Sequence, residues 1–249
     1  MVRHVRQIAA AALLVFGASP APAQQPAAQP KAVVELFTSQ GCSSCPAADA
    51  LFVELAKDPR LITLTLPVTY WDYLGWKDTL GQEVFSKRQK LYAKARGDGQ
   101  IYTPQAVVNG AAHIVGSDRG GIDKLVREQP RDGFPVKVDL AEADGALRVS
   151  LGAAPYAGEK PAVVWLLQLS RTATVPIERG ENSGKTVTYA NVVRGISRIG
   201  EWNGASATLT VPLETVRSAA KADGYVVLVQ ADLYTRQSAI LGAARGPAK

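Results

Sequence analysis

The sequence predicts two folds in series, an α/β domain over residues 31–130 and an all-β, sandwich-like domain over residues 135–249, joined by a linker at 131–134. Three observations predict this. Strand-like and helix-like apolar periods alternate in the first half. Beyond "EQPRDGFP" there follow short apolar runs separated by Gly, Pro, Asn and Asp. Both cysteines of the chain stand in one stretch, "SQGCSSCPAADALF", two residues apart where a helix pattern begins.

In the first half, "KAVVELFT" is a β-branched, apolar run ending at the Gly41 turn, the pattern of a buried strand. From Cys45 onward Ala48, Leu51, Phe52 and Leu55 recur at three- and four-residue steps, predicting an amphipathic helix that closes near Lys57-Asp58-Pro59. "LITLTLPV" is a second strand. "TLGQEVFSKRQKLYAKARG" is a second helix, with Val84, Leu91 and Ala95 expected on its buried side and Gly97 as its stop. "TPQAVVNGAAHIVG" pairs two short strands around Asn109-Gly110, which suits a type I′ turn. "SDRGGIDKLVREQ" is a third helix capped by Ser117 or Asp118. The order β-α-β-α-β-β-α is that of a minimal thioredoxin domain, so the expectation is an α/β thioredoxin-like domain followed by an all-β sandwich-like domain.

The second half offers seven strand candidates: "VKVDL", "ALRVSL", "AVVWLLQL", "TVTYANVV", "ATLTV", "YVVLVQA" and "AILGA". Only "LETVRSAAKA" reads as helical there. "RGENSGKT", Arg179 to Thr186, resembles a phosphate-binding loop superficially. That loop needs four residues between its glycines, however, and Gly180 and Gly184 enclose only three, between flanks that read as strands. It is a polar turn, and one that could face the other domain.

The chain opens with a basic stretch carrying Arg3 and Arg6, an apolar run from Ile8 to Phe16 and the small-residue site Ala21-Pro22-Ala23. This predicts a secretory leader over residues 1–23, followed by the tether "QQPAAQP" at 24–30 and a periplasmic or secreted location. The apolar run is too short to span a bilayer, and no later segment suits a membrane helix. The formal net charge is +6, which loss of the leader's two arginines would lower by two. The remaining basic residues are scattered, which argues against a nucleic-acid partner.

The cysteine pair could be a staple, a metal clasp or a redox centre. As a staple it restrains little: a four-residue loop contributes roughly 2 kcal/mol, against about 4.7 kcal/mol for a loop of a hundred residues. Zinc wants four ligands, and His113 is the only histidine beyond the leader. Copper(I) could be held by two thiolates, but no methionine follows the leader to assist. A redox role has a mechanism. A helix start directs N–H groups at the Cys42 sulfur and favours thiolate, and lowering a thiol pKa from 8.5 to about 7 raises the thiolate fraction at pH 7 from about 3 % to about half. Cys42 then suits the nucleophile and Cys45, one turn in, the resolver.

Ser43 and Ser44 can donate hydroxyl bonds to a thiolate or simply start the helix. Thr103-Pro104 stands where thioredoxin-like folds place a cis-proline against the pair, and it is expected cis. Glu35 lies in the first strand, where thioredoxins keep a proton acceptor beneath the cysteines; a salt-bridged strand residue is the other reading. "TYWDYLGWKDTL" gathers aromatics into one loop. Trp71 and Trp76 form either a wall beside the cysteines for an extended or apolar substrate, or the anchors that bury the loop. Arg88 falls on the buried side of the second helix and needs a partner, for which Asp72 and Asp78 are nearest in sequence.

"VVELFTSQGCSSCPAADALF", "YWDYLGWKD", "RQKLYA", "YTPQAVVNG", "VGSDR", "NVVR" and "ILGAAR" together resemble a family of secreted bacterial proteins known as domain of unknown function 1223. The resemblance spans nearly the whole chain beyond the leader, and it implies a thioredoxin-like fold and export. The expected function is thiol–disulfide exchange through Cys42 and Cys45, with Pro104 shaping the groove and a thiol- or disulfide-bearing protein or small molecule as partner. No cofactor is needed. The alternatives are a non-catalytic binding protein with a permanent disulfide, and a copper-binding protein.

Overall fold

A computed structural model describes residues 29–234 and 238–247. The expected leader, most of the tether and the last two residues of the chain lie outside the described residues. The first half runs β1 (Ala32–Thr38), α1 (Pro46–Leu55), β2 (Leu61–Pro67), α2 (Glu83–Arg96), β3 (Gln105–Val108), β4 (Ala112–Val115) and α3 (Arg119–Arg127). This is the expected order. Asn109 and Gly110 turn between β3 and β4 with φ of 48° and 70°, as a type I′ hairpin requires. Asp118 caps α3, its carboxylate accepting from Gly121 N at 2.9 Å.

β1 is buried on both faces because helices cover both. Val34 and Leu36 meet Ala48, Phe52 and Leu55 of α1 and Ile122 of α3 on one side. Val33 and Phe37 meet Phe85 and Tyr92 of α2 on the other. Full burial of a Phe or Leu side chain contributes about 1.5–3 kcal/mol, so α1 is held chiefly by Phe52 and Leu55. The buried side of α2 differs from expectation. It is Phe85, Ser86, Arg88, Gln89, Tyr92 and Ala93, while Val84 is exposed. The two large aromatics, seven residues apart, dock on β1, and this sets the helix one residue out of the expected phase.

The second half forms β5 (Val138–Ala143), β6 (Ala146–Leu151), β7 (Ala162–Pro176), β8 (Thr186–Trp202), β9 (Ala207–Pro212), α4 (Leu213–Val216), β10 (Gly224–Gln230) and β11 (Ile240–Arg245). All seven expected runs are strands. The helix expected over "LETVRSAAKA" shrinks to the four residues of α4. These strands do not stand apart as a separate sandwich. One eight-stranded mixed sheet, ordered β11-β10-β7-β8-β2-β1-β3-β4, runs through both halves, and β5-β6-β9 make a small second sheet.

The join is the parallel pairing of β2 with β8 at Thr65 and Val192, reinforced by Thr65 Oγ1 donating to Ala190 O at 2.7 Å. It covers the edge that β2 would otherwise leave unpaired. The small sheet packs face to face on the outer part of the large one, burying Leu147 and Val149 against Val164, Leu166 and Trp202. β10 serves both cores, with Val227 and Val229 on that side and Val226 and Leu228 on the α2 side. β7 and β8 have 15 and 17 residues, and their hairpin tip extends beyond the body of the second half.

Candidate functional site

After β1 the chain turns through Ser39, Gln40 and Gly41 to the cysteines. Gly41 is required by a close neighbour: a Cβ there would stand 3.2 Å from both Cβ and O of Trp71. Cys42 and Cys45 are joined in a disulfide with Cα atoms 5.4 Å apart. α1 begins at Pro46 with Cys45 as N-cap, so Cys42 occupies a preliminary turn, closed by Cys45 N donating to Cys42 O at 3.1 Å. Pro46 sits where a missing N–H costs least. Cys42 is 4 % exposed and Cys45 is fully buried. Ser44 Oγ lies 3.4 Å from Cys42 Sγ, while exposed Ser43 presents its backbone N–H elsewhere.

The aromatic loop lies beside this turn. Gln40 N donates to Asp78 Oδ2 at 2.8 Å, and Gln40 Oε1 accepts from Trp76 Nε1 at 2.8 Å. Asp72 Oδ1 accepts from Asp78 N at 3.1 Å. Asp78 therefore holds the loop against the cysteine turn and Asp72 braces the loop internally, and neither serves Arg88. Burial pushes the Asp78 carboxyl up to about 6, against the bonds it accepts from Gln40 and Leu80 N–H groups. Trp71 Nε1 donates to Thr103 Oγ1 at 2.7 Å, and exposed Tyr73 stacks on Trp71 with ring centroids 6.3 Å apart. The Thr103-Pro104 peptide is cis. A Cβ on Gly116 would lie 3.1 Å from Pro104 Cβ and 3.3 Å from Ala48 Cβ, which sets Pro104 on the α1 side of the sheet.

Glu35 and Arg88 are elsewhere. Along β1, Thr38 shares a side with Leu36 and α1, whereas Glu35 shares the opposite side with Phe37 and α2. Glu35 Oε1 accepts from Arg88 Nε at 2.7 Å, and its other oxygen accepts a short bond from Tyr92 OH. Arg88 Nη2 also donates to Tyr92 OH at 2.7 Å and to Gln230 Oε1 at 3.0 Å. Burial disfavours the Arg88 charge, but Glu35 and Tyr92 outweigh it and hold its pKa above the ordinary value. Glu35 is thus a salt-bridged core residue tying β1, α2 and β10 together. The expected pairing of Arg88 with Asp72 or Asp78 does not occur.

The acid on the cysteine side is Asp49, which sequence reasoning missed. It lies four residues after Cys45 on α1, its N–H bonded to Cys45 O at 3.0 Å, and it is buried. Its Oδ1 accepts from Thr38 Oγ1 at 2.7 Å. Burial pushes its carboxyl up to about 8; the Thr38 bond opposes this, and nearby Asp78 adds to it. The signal was available in the spacing, since 45, 48, 49 and 52 form one helical stripe. The buried Tyr189 hydroxyl has no hydrogen-bond partner among the described residues, and burial followed by the charges of Asp49 and Asp78 raises its pKa.

The remaining wall comes from the second half. The tip between β7 and β8 places Asn182 Nδ2 at 2.9 Å from Gln40 O and 2.8 Å from Cys42 O, and Glu181 Oε2 accepts from Ser43 N at 3.1 Å. The polar turn read from "RGENSGKT" therefore faces the cysteines across the two halves. Together these groups form an enclosed disulfide with a buried acid behind it and aromatics at its side. Such a pair can accept two electrons and two protons by thiol exchange.

No curated protein matches the chain. The crystal structure of protein AGR_C_4864 from Agrobacterium tumefaciens is similar at 33% identity and a TM-score of 0.77, the match covering 91% of this chain and 97% of that one. HBP35 of Porphyromonas gingivalis is similar in fold at 14% identity and a TM-score of 0.63, covering 90% of this chain and 77% of that one. Residues 33–230, most of the chain, match the family described as Protein of unknown function (DUF1223), and the protein belongs to that family.

Proposed function

We propose that the protein is an exported thiol–disulfide oxidoreductase whose first half is a thioredoxin-like domain. The observation that carries the reading is the Cys42–Cys45 disulfide at the head of α1, in a chain whose Thr103-Pro104 bond is cis and whose Trp71 reaches both Gly41 and Thr103. The strand order β2-β1-β3-β4, with β1 and β2 parallel and β3 and β4 antiparallel, supports the thioredoxin-like assignment. The basic, apolar and small-residue sequence of the leader supports export.

In the reductive direction for the protein, a substrate thiolate attacks Cys42 Sγ. The S–S bond breaks and its electron pair leaves on Cys45, giving a mixed disulfide. A second substrate thiolate attacks the substrate sulfur of that mixed disulfide, releasing Cys42 as thiolate and the substrate as its disulfide; the two protein thiolates take up the two protons that the substrate thiols lost. The reverse sequence reduces a substrate disulfide. Asp49, buried one turn from Cys45 with its carboxyl pushed up to about 8, is the acid best suited to exchange a proton with the cysteine pair.

The test is trapping. Cys45→Ser should accumulate mixed disulfides with disulfide-bearing substrates, formed when the Cys42 thiolate attacks the substrate disulfide and expels one substrate thiolate, visible on non-reducing gels after thiol quenching. Cys42→Ser should not, because Cys45 is buried. Equal trapping by both variants would refute the role assignment. A wild-type disulfide inert to mild reductant, with no trapping by either variant, would favour a binding protein with a permanent bridge.

A further inference from the structure

We infer that the β7–β8 hairpin tip belongs to the redox site: Asn182 positions the Cys42 turn, and the Glu181 carboxylate restrains thiolate formation at Cys42. The inference deepens the oxidoreductase reading and rests on it for its biological meaning. It concerns thiol chemistry that is measurable without any substrate.

The tip is a shaped element rather than a loose loop. Ile177 N donates to Lys185 O at 2.9 Å, Gly184 N to Ile177 O at 2.8 Å and Ser183 Oγ to Glu178 O at 2.9 Å. Gly180, with φ of 76°, lets the tip approach Trp76, whose Cβ would lie 3.2 Å from a Cβ at that position. Asn182 is buried, and its amide holds two carbonyls at once, Gln40 O and Cys42 O. Lys185 Nζ donates to Asn182 Oδ1 at 2.8 Å, which leaves the amide nitrogen aimed at the cysteine turn. Residues about 140 positions apart are thereby locked onto the backbone turn that carries Cys42.

When the disulfide is reduced, Cys42 needs donors to carry negative charge. Ser44 Oγ is within 3.4 Å, but the Ser43 N–H, the first free donor of the turn, is occupied by the Glu181 carboxylate. Glu181 therefore acts twice against the thiolate, by taking a donor and by placing a like charge near it. The other charged or titratable groups around the turn are Glu178, Arg179 and Lys185 on the tip, Asp49 behind the pair with Tyr189, whose hydroxyl feels both Asp49 and Asp78, and Asp78 across Gln40 with Asp72 beside it. Among these acids, Glu181 alone has a hydrogen bond to the Cys42-Ser43-Ser44-Cys45 backbone that comes from the tip.

The test uses the full chain carrying Cys45→Ser, so that Cys42 is the single thiol, titrated by the ultraviolet absorbance of its thiolate. Glu181→Gln keeps an acceptor for Ser43 N–H and removes the charge. It should raise the thiolate-to-thiol ratio at fixed pH about threefold at low salt, the scale of one like charge several ångströms away in a wet site. The difference should shrink in 1 M salt, as an exposed charge requires. Asn182→Ala should speed alkylation of Cys42 by a small reagent at a pH where thiolate fractions are matched, because the turn is released. Glu181→Gln indistinguishable from its parent at low salt, or a shift unchanged by salt, would overturn the electrostatic role. Unchanged alkylation in Asn182→Ala would overturn the positioning role. An inert wild-type disulfide would sink the oxidoreductase reading while leaving these measurements decisive.

Discussion

Replacing Arg88 with alanine isolates the buried network that turned out to hold Glu35. The guanidinium makes three bonds, to Glu35, Tyr92 and Gln230, and it is 4 % exposed while Glu35 is fully buried. Its loss leaves the Glu35 carboxylate in the core with Tyr92 as its remaining partner. Removing one member of a buried ion pair costs about 3–5 kcal/mol, because the other charge is stranded. With a urea slope of about 2–3 kcal/mol/M, the unfolding midpoint should fall by roughly 1–2 M. The double variant Arg88→Met with Glu35→Leu should recover most of the loss, since an apolar pair strands no charge. Urea titration followed by tryptophan fluorescence measures both. A loss under about 1 kcal/mol for Arg88→Ala, or a double variant no better than the single one, would refute the reasoning. If Glu35 were instead the proton acceptor of the cysteines, Glu35→Gln would abolish exchange in protein that remains folded; the expectation is that folded Glu35→Gln retains it.

Further expectations follow from the same geometry. Asp49 has a folded pKa of about 8 against an ordinary 3.8, so the folded state binds the extra proton between those values, and stability should fall as pH rises through that window. Asp49→Asn should flatten that slope and be the more stable protein at pH 8; an unchanged slope in thermal melts from pH 5 to 8 would contradict it. Phe52→Ala should cost about 3–5 kcal/mol by opening a cavity between α1 and the sheet, measurable by denaturant titration, and a loss near zero would mean that α1 is not anchored there. Trp71→Phe removes the bond to Thr103 Oγ1 and should cost about 1 kcal/mol while raising protease cleavage within residues 69–79. Unchanged cleavage would show that this bond does not fasten the loop.

The local elements were legible from the chain because their signals are local. Apolar, β-branched runs bounded by turn residues, the three- and four-residue steps of α1, Asn109-Gly110, Asp118 and Gly97 each report on neighbours within a few residues, and each lies where its pattern indicated. The cysteine pair and the cis Thr103-Pro104 segment were legible for the same reason: their residue types and order carry the topology with them. The rest depended on partners far away in sequence. The buried phase of α2 was set by Phe85 and Tyr92 docking on β1, and Arg88 found Glu35 and Gln230, 53 and 142 residues distant, rather than the aspartates nearby. Asp49 is the exception: its place on the Cys45 stripe was legible in the local spacing, and only its burial beneath the sheet, which raises its pKa, was not. The union of the two halves into one sheet rests on a short parallel pairing of β2 and β8, which no periodicity announces. Asn182 reached Cys42 only because β7 and β8 are long enough to carry their tip across that junction.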